Sequence, residues 1–379
     1  MAALAPLIML GANQAWNLVN FRAGLIEALI ARGFRVMAVA PPDAAMEARL
    51  AALGCSFAPV PIDAAGLSPF RDLRSFAALT RLIRQHRPAA WLSWTIKPNT
   101  YGSIAARLCR VPALPNVSGL GTAFIAGGLL GWGVRHLYRF AFARAACVFF
   151  QNEDDRALFV GEGMARAEQA RLLPGSGIDA DAWAPRSNKR PAPRQFLMVA
   201  RVVADKGVRE YAEAARSLRA RWPDAQFSLL GPLEVDNRTA ISRAEVEGWV
   251  AEGIVTYLPA TSDVRPMIEA ADFVVLPSYR EGLSRILLEA SALARPMVTT
   301  DVPGCRDVVR DGENGFLCAP CDATSLAGAL HRAAALSDAE WAKMATAARA
   351  RVIAEFSQER VNVLYFDALG AAGVCAEPE

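Results

Sequence analysis

Between Leu73 and Asn152 the chain contains neither aspartate nor glutamate, although its net charge is only +3. The same stretch carries ten cations: Arg74, Arg81, Arg84, Arg87, Lys97, Arg107, Arg110, Arg135, Arg139 and Arg144. Such a one-signed run speaks against acidic partners and suits polyanions, phosphates or anionic lipid above all, though a solvated basic face reads the same way. Residues 1–174 hold 18 Lys and Arg against 10 Asp and Glu, a balance of +8, which leaves −5 for residues 175–379. Histidine is scarce, with His86, His136 and His331 the only three. "CAPC" at 318–321 has no second cysteine pair and His331 is badly spaced from it, which speaks against zinc and for a structural role. The seven cysteines are odd in number and scattered, as expected in a reducing cytoplasm. "MAALAPLIMLG" lacks a basic leader, its first positive charge being Arg22, so it reads as a buried first strand. The 24 residues from Val111 to Val134 are uncharged, but their six glycines, with Pro112 and Pro115, fit strand plus loop better than a membrane span.

With 379 residues, 53% hydrophobic and 21% charged, the chain has the composition of a globular protein of two domains. Short apolar runs alternate with helical patterns throughout. The first half places strands near Leu7–Leu10, Arg35–Ala40, Ala89–Trp94, Pro112–Asn116 and Cys147–Gln151. The second places them near Gln195–Val199, Gln226–Leu230, Ile254–Leu258, Asp272–Leu276 and Met297–Thr300. This alternation predicts an α/β fold of two doubly wound, Rossmann-like parallel-sheet domains facing each other across a cleft. The boundaries fall at 1–174, a linker at 175–194 containing the proline-rich "APRSNKRPAPR", 195–356, and a last helical segment at 357–379 that crosses back to the first domain.

In open parallel sheets, ligands sit beyond the carboxyl ends of the strands. After "DFVVLPS" comes "YREGLSRILLEA", whose apolar spacing predicts a helix from about Leu283. The amides of Gly282, Leu283 and Ser284 would then face a polar or anionic ligand at the positive end of the helix. Glu281 would stand just ahead of that helix, able to accept from hydroxyls. Glu289 would lie two turns in, beside the apolar stripe, where a ligand diol would satisfy it. An acidic helix start and a surface glutamate give the same letters. After "QFLMV", Arg201 and Lys206 precede a glycine and a helix, an arrangement that suits a pyrophosphate.

Together the two stretches resemble the retaining nucleotide-sugar glycosyltransferases of family 4, which have the GT-B fold. The family's E-x7-E is matched by Glu281 and Glu289, and its R-x4-K by Arg201 and Lys206. The resemblance implies that Arg201 and Lys206 hold the diphosphate, Glu281 with the following amides the donor sugar, and Glu289 the ribose. "WNLVNFRAGLIEAL", "WTIKPNTYGSIAAR" and "NVSGLGTAF" look like enzymes that build bacterial surface polysaccharide on a polyprenyl-diphosphate carrier. By that likeness Glu281, Lys97 and Asn99 are the catalytic residues, Glu281 positioning the sugar instead of transferring a proton. Asn17, Arg22, Asn116, Ser118, Gly119, Arg135 and Arg139 serve the acceptor, the last two also gripping an anionic membrane or the carrier's diphosphate. Many members have an active-site histidine in this region, and here its work would fall to Lys97, Asn99 or backbone. Asp179-Ala180-Asp181 spells the D-x-D of metal-dependent glycosyltransferases, but it stands at the domain junction, and the resemblance implies no metal and no cofactor.

The implied reaction moves a hexose or N-acetylhexosamine from a UDP-sugar to a lipid-linked saccharide. It would run in the cytoplasm at the inner face of the membrane, with no nucleic acid involved. A nucleotide-sugar 2-epimerase of the same fold is the alternative. A nicotinamide enzyme would need G-x-G-x-x-G where this chain has "GANQAW". A two-lobed sugar-binding protein would be expected to carry a leader.

Overall fold

The computed structural model describes residues 5–63, 68–120, 128–187, 189–191 and 194–376. The chain divides into two compact units, Met1–Ser176 with Gln358–Glu379, and Gly177–Ser357.

The first unit is a seven-stranded sheet of β1 (Leu7–Gly11), β2 (Arg35–Ala40), β3 (Ser56–Pro59), β4 (Ala90–Trp94), β5 (Ala113–Val117), β6 (Val148–Phe150) and β7 (Ala170–Leu172). The strands lie parallel in the order β3-β2-β1-β4-β5-β6-β7. Between them run α1 (Ala15–Ala31), α2 (Ala44–Ala52), α3 (Pro69–His86), α4 (Ser103–Leu108), α5 (Gly128–Phe142) and α6 (Glu153–Gly161). Alternate side chains of β1 show why the run "LIML" is apolar throughout. Ile8 and Leu10 pack with Leu25 and Leu29 of α1, while Leu7 and Met9 join Leu79 and Ile83 of α3 on the opposite face.

The second unit has six parallel strands, β8 (Gln195–Val199), β9 (Gln226–Leu230), β10 (Thr256–Leu258), β11 (Phe273–Leu276), β12 (Met297–Thr300) and β13 (Gly315–Cys318), ordered β10-β9-β8-β11-β12-β13. Its helices are α7 (Val208–Arg219), α8 (Arg243–Ala251), α9 (Arg265–Ala270), α10 (Arg285–Ala292), α11 (Ala323–Ala334) and α12 (Asp338–Phe356). The final helix, α13 (Gln358–Ala371), packs in the first unit, where Val361, Tyr365, Ala368 and Leu369 enter the core beside Leu18 and Leu25. The Tyr365 hydroxyl accepts from Trp94 Nε1 at 3.1 Å and Asn116 Nδ2 at 2.9 Å, which ties α13 to β4 and β5.

Two features differ from the sequence reading. β3, β7 and β13 were not expected, and each lies at a sheet edge, where one neighbour suffices and a long apolar run is not required. The segment expected to be a linker is strapped to the second unit. Arg190 is bidentate to Asp272, with Nε to Oδ1 and Nη2 to Oδ2 both 2.9 Å, and the two side chains are 8% and 0% exposed.

Candidate functional site

In each sheet the strand order reverses once, and the crevice outside that point is where open α/β sheets bind ligands. In the second unit the reversal lies between β8 and β11. Their following loops are stitched together. Tyr279 N–H donates to Asp205 O at 2.9 Å, Ser278 Oγ to the same carbonyl at 3.3 Å, and Tyr279 Oη to Glu210 Oε1 at 2.7 Å. Gly207 makes the close approach possible. Its φ is +73°, and a Cβ there would stand 2.1 Å from Pro277 O.

This stitching brings Lys206 against Glu281, with Nζ donating to Oε1, the two side chains 21% and 14% exposed. Arg201, exposed just past β8, has no side-chain partner among the described residues. The helix starts two residues later than its spacing suggested, at Arg285, with Ser284 as its N-cap. The Ser284 amide is already committed, donating to Gly304 O at 3.1 Å. The first-turn amides of the helix are therefore those of Arg285, Ile286 and Leu287, and Gly282 and Leu283 belong to the approaching loop. Glu289 is not waiting for a diol alone. Arg285 Nε donates to its Oε1 at 2.9 Å, and Arg285 Nη1 donates to Gly177 O at 2.7 Å. Burial pushes the Glu289 carboxyl above its ordinary range, and Arg285 pulls it back in part.

In the first unit the reversal lies between β1 and β4. Thr95, just past β4, has φ +70°, a left-handed conformation rare for a β-branched residue. Its Oγ1 accepts from Asn13 N–H at 3.2 Å, and Asn13 Oδ1 accepts from Asn17 Nδ2 at 3.0 Å. A π-helical turn, Pro98–Gly102, follows at once. Lys97, at its head, donates from Nζ to Asp72 Oδ1 at 2.6 Å, and Tyr101 Oη donates to Asp72 Oδ2 at 3.0 Å.

Several residues expected to be catalytic or acceptor-side make contacts within the fold. Asn99, within the π turn, is 1% exposed. It accepts from Ser93 Oγ at 2.9 Å and donates to Asn116 O at 2.7 Å, binding β4 to β5. Asn116 is fully buried against Tyr365, and Arg22 is buried with its guanidinium 4.7 Å from the Trp94 ring centroid. Ser118 and Gly119 are half-buried beyond β5. Arg135 pairs with Glu162 at 2.7 Å, and Arg139 donates to the carbonyls of Glu162 at 2.6 Å and Gly163 at 3.2 Å. These two arginines serve the end of α6. Asp179 of the D-x-D is spent on a turn, its Oδ1 accepting from the amides of Asp181 at 3.0 Å and Ala182 at 2.9 Å.

The sequence reading missed Asp72, Tyr101, Tyr279, Glu210 and Arg285. Only Arg285 had left a signal, standing four residues before Glu289 on one helix face.

Residues 20–176 match the family model described as Glycosyl transferase 4-like domain, and residues 193–335 match that described as Glycosyl transferases group 1. The structure of HepE from Anabaena in complex with UDP-glucose resembles this one with a TM-score of 0.78 over 97% of this chain and 100% of that one, at 18% identity. Sucrose-phosphate synthase from Thermosynechococcus elongatus does so with a TM-score of 0.75 over 97% and 100%, at 20% identity. In sequence, the chain is 28% identical to the N,N'-diacetylbacillosaminyl-diphospho-undecaprenol alpha-1,3-N-acetylgalactosaminyltransferase of Campylobacter jejuni, over 79% of this chain and 82% of that protein. It is 25% identical to the capsular polysaccharide biosynthesis glycosyltransferase CapM of Staphylococcus aureus, over 68% and 70%.

Two doubly wound parallel-sheet units in tandem, with these structural relatives, define the GT-B class of fold. Within that class the chain belongs to the glycosyltransferase family whose halves are the 4-like and group 1 domains, and it is a glycosyltransferase.

Proposed function

We propose that the protein moves a hexose or N-acetylhexosamine from a UDP-sugar to a hydroxyl of a polyprenyl-diphosphate-linked saccharide, with retention at the sugar carbon, in bacterial surface-polysaccharide or glycan assembly. The observation that carries this reading is the meeting of Lys206 and Glu281 at the reversal point of the second sheet. A cation for the diphosphate and a carboxylate for the sugar stand side by side, as the junction of a sugar diphosphate requires. The lipid-linked acceptor is supported by the name of the Campylobacter relative, and the uridine donor by the ligand of the Anabaena structure.

In this reading Arg201 and Lys206 take the diphosphate, Glu281 with the Gly282 and Leu283 loop takes the sugar, and Glu289 with Arg285 takes the ribose diol. The acceptor oxygen bonds to the sugar carbon as the bond to the diphosphate breaks, and the acceptor proton passes to the departing phosphate oxygen. Negative charge grows on the diphosphate, where Arg201, Lys206 and the first amides of α10 oppose it. Two cations and a helix end supply the charge that a divalent metal would otherwise bring, so activity should survive chelation.

The carrier would draw the enzyme to an anionic membrane, and the contact surface moves from α5 to α3. Phe70 and Leu73 are 87% and 65% exposed on one stripe of that helix. Arg74, Arg81 and Arg84, all exposed, make no ion pair among the described residues. No described helix is long and apolar enough to cross a membrane.

The test incubates purified protein with UDP- and GDP-sugars, with and without bacterial lipid extract, and follows nucleotide release and labelled lipid. Lipid-dependent transfer that Glu281→Ala abolishes is expected. Donor conversion without lipid would replace this reading with the epimerase.

A further inference from the structure

Asp72 lies in the first turn of α3, its amide bonded to Ser68 O at 3.0 Å, and it is 25 residues before Lys97 in sequence. No motif singles it out. Yet its carboxylate reaches across to the carboxyl end of β4 and engages two side chains, one on each oxygen: the Lys97 ammonium and the Tyr101 phenol. The ion pair is largely sheltered, Lys97 and Asp72 being 14% and 17% exposed.

Three further observations converge on this spot. It stands outside the one reversal of the seven-stranded sheet. The residue that leads into it, Thr95, holds a left-handed backbone, and strain of that kind persists where the surroundings over-determine it. The turn that carries Lys97 and Tyr101 is π-helical, a geometry that recurs at functional sites. Burial and Asp72 push the Tyr101 phenol up to about 12, so it stays a neutral donor to the carboxylate and keeps oxygen lone pairs for a ligand hydroxyl.

We propose that Asp72 is the positioning residue of the acceptor side, holding Lys97 and Tyr101 at the end of β4 as the pair that grips the saccharide-diphosphate acceptor. The inference rests on the transfer reading given above. Lys97 brings charge to an acceptor oxygen, Tyr101 brings an acceptor atom to a hydroxyl, and Asp72 fixes their separation without touching the ligand. It is a different residue, on a different unit, from those that hold the donor.

The experiment compares wild type, Asp72→Asn, Asp72→Glu and Tyr101→Phe in steady-state transfer to a short-chain prenyl-diphosphate N-acetylglucosamine, using the donor selected by the panel. Loss of a charge-assisted hydrogen bond is worth about ten- to a hundredfold. Asp72→Asn should therefore raise the acceptor KM or lower kcat/KM for acceptor by about that factor, with donor KM within about twofold. Asp72→Glu should recover part of the loss, and Tyr101→Phe should show a smaller change in the same parameter. Unchanged acceptor kinetics in folded Asp72→Asn would overturn the proposal, as would equal losses for donor and acceptor or no recovery with glutamate. Should Asp72→Asn fail to fold, Tyr101→Phe decides, because it leaves the Asp72–Lys97 pair in place; an unchanged acceptor KM then rejects the idea. Should wild type transfer nothing from any donor, the transfer reading fails by itself. Calorimetric binding of the same prenyl-diphosphate sugar then decides for Asp72: weaker binding by Asp72→Asn supports its role, and equal or absent binding by both proteins rejects it.

Discussion

Arg285 and Glu289 lie one helical turn apart on α10, with Arg285 Nε 2.9 Å from Glu289 Oε1, so the carboxylate proposed to hold a ribose is guarded by a cation from its own helix. The guard is incomplete, because burial still pushes the carboxyl above its ordinary range. A carboxyl raised in the folded state keeps a proton that the unfolded chain gives up near pH ~4.3. Its contribution to stability is therefore complete below that value and is lost as pH rises through the folded value. The melting temperature of wild type minus that of Glu289→Gln should fall as pH is taken from about 4 to 7, measured by calorimetry. UDP affinity should move the other way, with Glu289→Gln weaker by about tenfold at neutral pH, since the diol loses a charged acceptor. A temperature difference that stays flat with pH would contradict the burial argument.

Lys206 and Glu281 form an ion pair, and that makes their substitutions unequal. A diphosphate must compete with Glu281 for the ammonium. Lys206→Met removes the cation and strands a carboxylate beside the phosphates, so UDP should bind about ten- to a hundredfold more weakly. Glu281→Gln frees the cation, so UDP, which has no sugar, should bind as well as before or better. Sugar transfer should fall in both. Isothermal titration separates the cases, and equal weakening of UDP by both substitutions would rule out the competition.

Gly207 is the point at which the loop after β8 touches the end of β11, and Gly312 supplies a built-in comparison. Both have positive φ, +73° and +76°, yet a Cβ at Gly207 meets Pro277 O at 2.1 Å while one at Gly312 meets nothing within 4 Å. Gly312→Ala should cost about 1–2 kcal/mol, the left-handed strain alone. Gly207→Ala adds a backbone clash that no side-chain rotation can relieve. It should destabilise further and lower UDP affinity by pushing the loop that carries Lys206 away from the end of β11. Chemical denaturation with UDP titration checks this, and equal costs at the two positions would refute the contact.

How far the sequence reaches is visible in single residues. Central strands such as "LIML" and "FVVL" are legible because burial on both faces demands an unbroken apolar run. The edge strands "SFAP" and "ARL" are not, because that demand lapses with one neighbour missing. The rule that ligands lie past strand ends picked out Arg201, Lys206 and Glu281, and the structure places all three past the ends of β8 and β11. That rule picked out Asn99 too, and it could not see that the Asn99 side chain is buried and bonded to Ser93 and Asn116 O. Asp72 was out of reach altogether. It arrives from a helix, and only the packing of α3 against the end of β4 brings it to Lys97.

The two ends of the second unit's segment can be assigned by calorimetry, which also tests where the strap and the last helix belong. Asp272 accepts both arms of Arg190 and the Arg194 amide at 2.8 Å, all within the second unit. Removing one partner of a buried pair leaves the other charge uncompensated and typically costs about 3–5 kcal/mol. Tyr365 lies in α13 and receives two buried donors in the first unit, Trp94 Nε1 and Asn116 Nδ2, so Tyr365→Phe strands both, at about 1–3 kcal/mol each. If each unit unfolds around its own core, Asp272→Ala should lower one transition and Tyr365→Phe the other. Limited proteolysis should agree, with cleavage after 357 accelerated by the tyrosine substitution and cleavage at 184–194 by the aspartate one. Both substitutions lowering the same transition would mean that α13 draws its stability from elsewhere than the sheet on which Tyr365 sits.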